Sequence, residues 1–178
     1  MSLFFATFST GLILMAAGGF LLWNARTAEI VLKAFPRSQT AAYVTMGLGS
    51  IWFLYRVLQL GEADFGNIRG YLFLIFGAIA ALSFVHVKDF LAVRGLSILI
   101  LLYAWVLLSA AFLEEPASRL FLVSLVYVAI VVAIYLGVSP FRLRDFFNWL
   151  FATKKRQRIF SGFLVGYGLL LGYVAIGY

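Results

Sequence analysis

Apolar residues fall into six long blocks separated by short polar connections, and that alternation predicts the elements before any single residue is considered. The blocks lie at about residues 3–23, 38–60, 69–85, 95–113, 117–139 and 159–177. At 1.5 Å rise per residue, each is long enough to cross a hydrocarbon layer about 30 Å thick as an α-helix. The first begins Met1-Ser2-Leu3-Phe4-Phe5, without the positive segment of a signal peptide, and is read as a retained helix.

The connections carry their own signals. After span one, Arg26, Lys33 and Arg37 are interleaved with apolar residues and Pro36 disfavours helix in its predecessor, which predicts a short interfacial helix ending there. Gly61-Glu62-Ala63-Asp64-Phe65-Gly66-Asn67 is composed of turn formers. Glu114-Glu115-Pro116 closes span four and opens span five, where acids complement the positive end of a helix dipole. Between spans five and six, Leu143, Phe146, Phe147, Leu150 and Phe151 recur at helical spacing, with Arg142, Arg144, Asp145 and Asn148 mostly opposite. A helix over about residues 140–152 is therefore expected to lie flat on the membrane. The expected fold is an all-α bundle of six transmembrane spans with this one amphipathic interfacial helix, a single membrane-embedded domain over residues 1–178.

Composition sharpens the picture by exclusion. With 64% hydrophobic and 12% charged residues, against roughly 45–50% and about 25% in soluble domains, a water-soluble globule is ruled out. The net charge of +7 does not point to nucleic acid, because the basic residues sit beside apolar blocks, where they orient spans and touch lipid headgroups. The absence of cysteine removes disulfides, thiolate metal sites and cysteine nucleophiles.

Charge by connection gives an orientation. Connections one, three and five hold Arg26, Lys33, Arg37, Lys88, Arg94, Arg142, Arg144, Lys154, Lys155, Arg156 and Arg158, eleven of the 14 basic residues. Connections two and four hold only Arg69 and Arg119, and Arg56 lies inside span two. Positive loops stay cytoplasmic, so both termini are expected outside, most simply in a bacterial inner membrane.

Few residues offer chemistry. Arg56 is the ionisable residue placed well inside a span, on a face shared with Thr45, Gly49 and Trp52. It reads either as a snorkelling or ion-paired structural charge, with Glu62, Asp64, Glu114 or Glu115 as partners, or as part of a substrate or ion site. Glu62, Asp64, Glu114, Glu115 and Arg119 form an outer charge cluster, read as a solvated turn or as a cation-attracting mouth. His86 is the sole histidine, so one chain cannot build a bis-histidine haem or a multi-ligand zinc site, and it reads as a headgroup-level residue. No metal or cofactor is expected.

Tyr103, Tyr127 and Tyr167 come near the middle of spans four, five and six, where each hydroxyl needs a partner. They either bond a backbone carbonyl one turn away or converge on an amphipathic ligand. Gly162, Gly166, Gly168 and Gly172 give span six two small-residue steps on different faces, and Gly77 with Ala81 gives span three one. Arg142, Arg144, Lys154, Lys155, Arg156 and Arg158 are read as contacts to anionic lipid headgroups.

Phosphate-loop, nucleophile-elbow and His-Glu-x-x-His motifs are absent, and so is a transmembrane carboxylate series. The expected function is a non-catalytic membrane subunit or scaffold with membrane-protein partners. A small oligomeric transporter or channel is the second reading and a lipid-modifying enzyme a third.

Overall fold

The computed structural model describes residues 1–87 and 89–178; Lys88, counted above among the inner basic residues, lies outside them. Eight α-helices form, in order α1 (Leu3–Trp23), α2 (Ala25–Ala34), α3 (Gln39–Leu58), α4 (Arg69–His86), α5 (Leu91–Ala111), α6 (Arg119–Val138), α7 (Phe141–Phe151) and α8 (Lys154–Ile176). Short 3-10 turns occupy Phe35–Arg37, Glu62–Asp64 and Gly66–Ile68, and no strand occurs among the described residues. Six helices, α1, α3, α4, α5, α6 and α8, are long and apolar enough to cross a membrane. The chain is an all-helical protein of membrane-spanning composition.

Helix ends follow local chemistry. Ser2 and Ser38 accept from the backbone N–H of Phe5 and Ala41 at 3.4 and 3.2 Å, capping α1 and α3. Asn24 serves two helices, since its N–H donates to the Phe20 carbonyl while its Oδ1 accepts from the N–H of Thr27 at 3.1 Å. That double role places α2 immediately after α1. Pro36 lies within the 3-10 turn that follows α2, as the sequence suggested.

Three boundaries differ from expectation. Helix α5 starts at Leu91 rather than near residue 95, because Leu91, Ala92 and Val93 are buried and burial outweighs the adjacent charge of Arg94. Helix α8 starts at Lys154 rather than near 159: lysine and arginine are good helix formers, and the basic run is its first turn. Helix α6 begins only at Arg119, so Glu114 and Glu115 remain exposed in the connection and do not occupy its first turn.

Two compact units emerge. The first comprises Met1–Lys33, Tyr103–Val132 and Arg144–Tyr178, and the second Ala34–Leu102 and Ala133–Leu143. In the first unit α1 and α8 run antiparallel, with Gly11 against Gly168, Gly18 against Ser161, and Leu21 against Gln157. Its core gathers Leu3, Ala6, Ala104, Leu107, Leu122, Val126 and Leu171. Leu150 of α7 is wholly buried and Phe146 meets the Phe160 ring at 5.5 Å, so part of that helix's apolar face is turned onto protein rather than left for lipid.

The second unit packs α3 against the start of α5 and against α4. Thr45 of α3 donates from Oγ1 to the carbonyls of Ala41 and Ala92 at 2.8 and 3.0 Å, and Gly95 of α5 lies so close to Thr45 and Met46 that any side chain there would collide with their backbone. Helix α4 has no buried residue and meets α3 through two ring contacts, Phe53 with Phe76 at 5.1 Å and Tyr43 with Phe84 at 5.6 Å.

Candidate functional site

Each singled-out residue has a definite place. On α3, Thr45 and Gly49 face α5, with Gly49 near Ile98 and the Gly95 carbonyl, so the face that carries Arg56 is a packing face over that part of its length. Arg56 lies in the last turn of α3, and its Nη1 donates to Oε1 of Gln59, the C-cap, at 3.0 Å. A cation there complements the negative end of the helix dipole. An apolar cavity of about 240 Å³ opens between α3 and α4, lined by Met46, Phe53, Leu54, Phe76, Ile79 and Ile98 among others, and Arg56 is not part of that lining.

The tyrosines divide. Tyr103 brings its hydroxyl to 3.3 Å from Ser9 Oγ of α1, and the Tyr167 hydroxyl of α8 donates to the Phe121 carbonyl of α6 at 2.8 Å, with Ser124 Oγ at 3.5 Å. Both partners lie on other helices rather than one turn away on the same one. The two hydroxyls therefore tie helices of the first unit together. Tyr127 instead is 58% exposed.

The outer charges fall in different units, Glu62 and Asp64 in the second and Glu114, Glu115 and Arg119 in the first; all four acids are exposed. No three of His, Asp and Glu come together in a metal-holding group among the described residues. His86 is exposed at the end of α4, its Nδ1 at 3.2 Å from the Leu82 carbonyl.

Among the basic residues, Arg144 bridges Asp145 at 2.9 Å, Arg142 lies over the Phe141 ring, and Arg156 sits over the Trp149 ring while donating to the Trp149 carbonyl. Lys154 and Arg158 line a second cavity, together with Arg26 of α2. Lys155 is exposed beside them.

The four glycines of α8 also divide. A Cβ at Gly168 would lie 2.7 Å from the Gly11 carbonyl oxygen, whereas Gly162, Gly166 and Gly172 would meet nothing within 4 Å. Sequence reading missed the partners of this seam, Gly11 and Gly18. The available signal was a seven-residue spacing of small residues, Gly11 and Gly18 on one helix and Ser161, Gly168 and Ala175 on the other. It also missed Gln157, which is buried and donates from Nε2 to the Leu21 carbonyl at 2.7 Å, satisfying an acceptor at the end of α1.

No protein-family model, curated protein or solved structure matches this chain.

Proposed function

We propose that the chain is a non-catalytic integral membrane subunit, or scaffold, that packs against partner proteins. The observation that carries this reading is the open glycine step at Gly162 and Gly166. Glycine in a helix interior costs roughly 1 kcal/mol relative to alanine, and in lipid it is repaid when a neighbouring backbone approaches. Gly168 on the other face has such a neighbour in α1; Gly162 and Gly166 have none, and exposed Leu169 and Tyr173 continue their face. Helix α4, with no buried residue, supports the same reading.

In this account the six long helices span a bacterial inner membrane with both termini outside. The cytoplasmic concentration of basic residues supports that orientation. Helix α7 lies at the interface with Trp149 and Phe141 exposed, and Arg142, Arg144, Lys154, Lys155, Arg156 and Arg158 meet anionic headgroups.

A photo-crosslinker placed at Tyr173 in native membranes tests the subunit reading. A discrete adduct with a second protein, abolished by Gly166→Leu, is expected; lipid adducts alone would remove the reading. The apolar cavity between α3 and α4 favours a second one, a small oligomeric transporter or channel for an amphipathic solute. There Ala80→Trp, which fills the cavity, abolishes flux in proteoliposomes at unchanged folded yield, and unchanged flux takes the cavity out of any pathway.

A further inference from the structure

At one end of the α1–α8 pair lies a cavity of about 420 Å³, walled by the last turn of α1, α2, the end of α7 and the first turn of α8. Its apolar lining comes from Leu21, Leu22 and Phe151, and its cations are Arg26, Lys154 and Arg158. The single acid in the lining, Glu29, accepts from Lys33 Nζ at 2.7 Å and is already neutralised. None of the three cations lies within ion-pairing distance of a carboxylate among the described residues. Three uncompensated positive charges, drawn from two helices, therefore converge over apolar surface.

A second feature points the same way. Helix α8 begins with Lys154, Lys155 and Arg156, carries no acid in its first turn, and receives no side-chain cap from Thr153. Cations at the positive end of a helix dipole repel it, and free N–H groups there lack acceptors. An anion seated beside this turn relieves both. The site is held in place by buried Gln157, whose bond to the Leu21 carbonyl joins α8 to α1 within the cavity wall. Trp23, 94% exposed one turn away, is a residue type that gathers at headgroup depth.

We propose that this cavity binds a phosphate-bearing anion, with the phosphate among Arg26, Lys154 and Arg158. An anionic phospholipid and a soluble phosphate share that chemistry; the apolar lining suits the first, whose chains continue below the headgroup. The site depends on the membrane placement proposed above and not on any partner subunit.

The test uses the full chain in neutral detergent, with native mass spectrometry reading the binding of phosphatidylglycerol, of diacylglycerol as the phosphate-free control, and of inorganic phosphate as competitor. At about fivefold per cation, Arg26→Gln, Lys154→Gln and Arg158→Gln together weaken phosphatidylglycerol binding by roughly a hundredfold. Arg119→Gln removes one cation of the outer connection, away from the cavity and from the proposed headgroup contacts, and leaves binding within about twofold. Lys33→Gln keeps all three cations but releases the Glu29 carboxylate, and weakens binding about fivefold without touching a proposed contact. Displacement by millimolar inorganic phosphate assigns a soluble anion as sufficient ligand, and failure to displace assigns the site to the lipid. Wild-type binding by the triple variant, equal binding of diacylglycerol, or no binding to the wild-type chain overturns the proposal. All three cations are exposed, so helicity and monodispersity of the variants are expected to be unchanged, and partner loss elsewhere leaves this readout unaffected.

Discussion

Gly11 of α1 and Gly168 of α8 stand opposite each other so closely that a Cβ on either would lie 2.8 or 2.7 Å from the other's carbonyl oxygen. Backbone contact of this kind is the main association available to helices in lipid, where apolar surface gains nothing from leaving an equally apolar solvent. Gly18 repeats it against Ser161 and Val165 one heptad further along.

Gly168→Val is accordingly expected to destabilise the α1–α8 pair by about 1–3 kcal/mol, because the intruding atoms face backbone that cannot step aside. Gly166→Val, two residues earlier on the open face, is expected to leave the stability of the isolated chain unchanged. Steric-trap or denaturant unfolding in detergent measures the difference, and equal loss at both positions would contradict this packing.

Tyr103→Phe and Tyr167→Phe each remove a hydroxyl bonded to a different helix, Ser9 on α1 and the Phe121 carbonyl on α6. Each is expected to cost about 0.6 kcal/mol, the mean for hydrogen bonds between membrane helices, and no more than about 1.7 kcal/mol. Tyr127→Phe, at an exposed position, is expected to be neutral in the same unfolding assay.

Thr7 of α1 is fully buried and its Oγ1 has no hydrogen-bond partner among the described residues. A buried unsatisfied hydroxyl costs about 1–3 kcal/mol, so Thr7→Val, of nearly the same shape, is expected to raise stability by about 1 kcal/mol. A loss on substitution would mean that the hydroxyl is satisfied in the folded protein.

How much of this was legible follows from the distance over which each signal acts. Period, length and polar breaks are local, and they located all eight helices, including α2 and α7. The helix start at Leu91 was set by burial of Leu91–Val93, which is tertiary, and the start at Lys154 by the helix propensity of the basic run; charge alone put both several residues late. The two small-residue faces of α8 could be read from spacing, whereas the partner of one, on α1, left only the matching seven-residue spacing of Gly11 and Gly18. Depth did not separate Tyr127 from Tyr103 and Tyr167; rotation about the helix axis did. The convergence of Arg26 with Lys154 and Arg158 needs α1 folded back against α8, which no local pattern encodes.

The chain's lack of cysteine makes its topology directly readable. Single cysteines at Ser2, Gln59, Ala117 and Tyr178 are expected to react with an impermeant maleimide from outside intact cells, and those at Ser38, Asn148 and Thr153 only after lysis. Labelling of Thr153→Cys from outside would overturn the proposed orientation.

The central claim, that this chain acts by packing against other proteins, is tested most directly by native mass spectrometry of the tagged protein extracted gently from its own membrane. The account predicts a heteromeric assembly of fixed stoichiometry that persists in the wild type and dissociates when Gly162 and Gly166 are both replaced by leucine, with the released chain still folded. A monomer or a homo-oligomer without protein partners would contradict it.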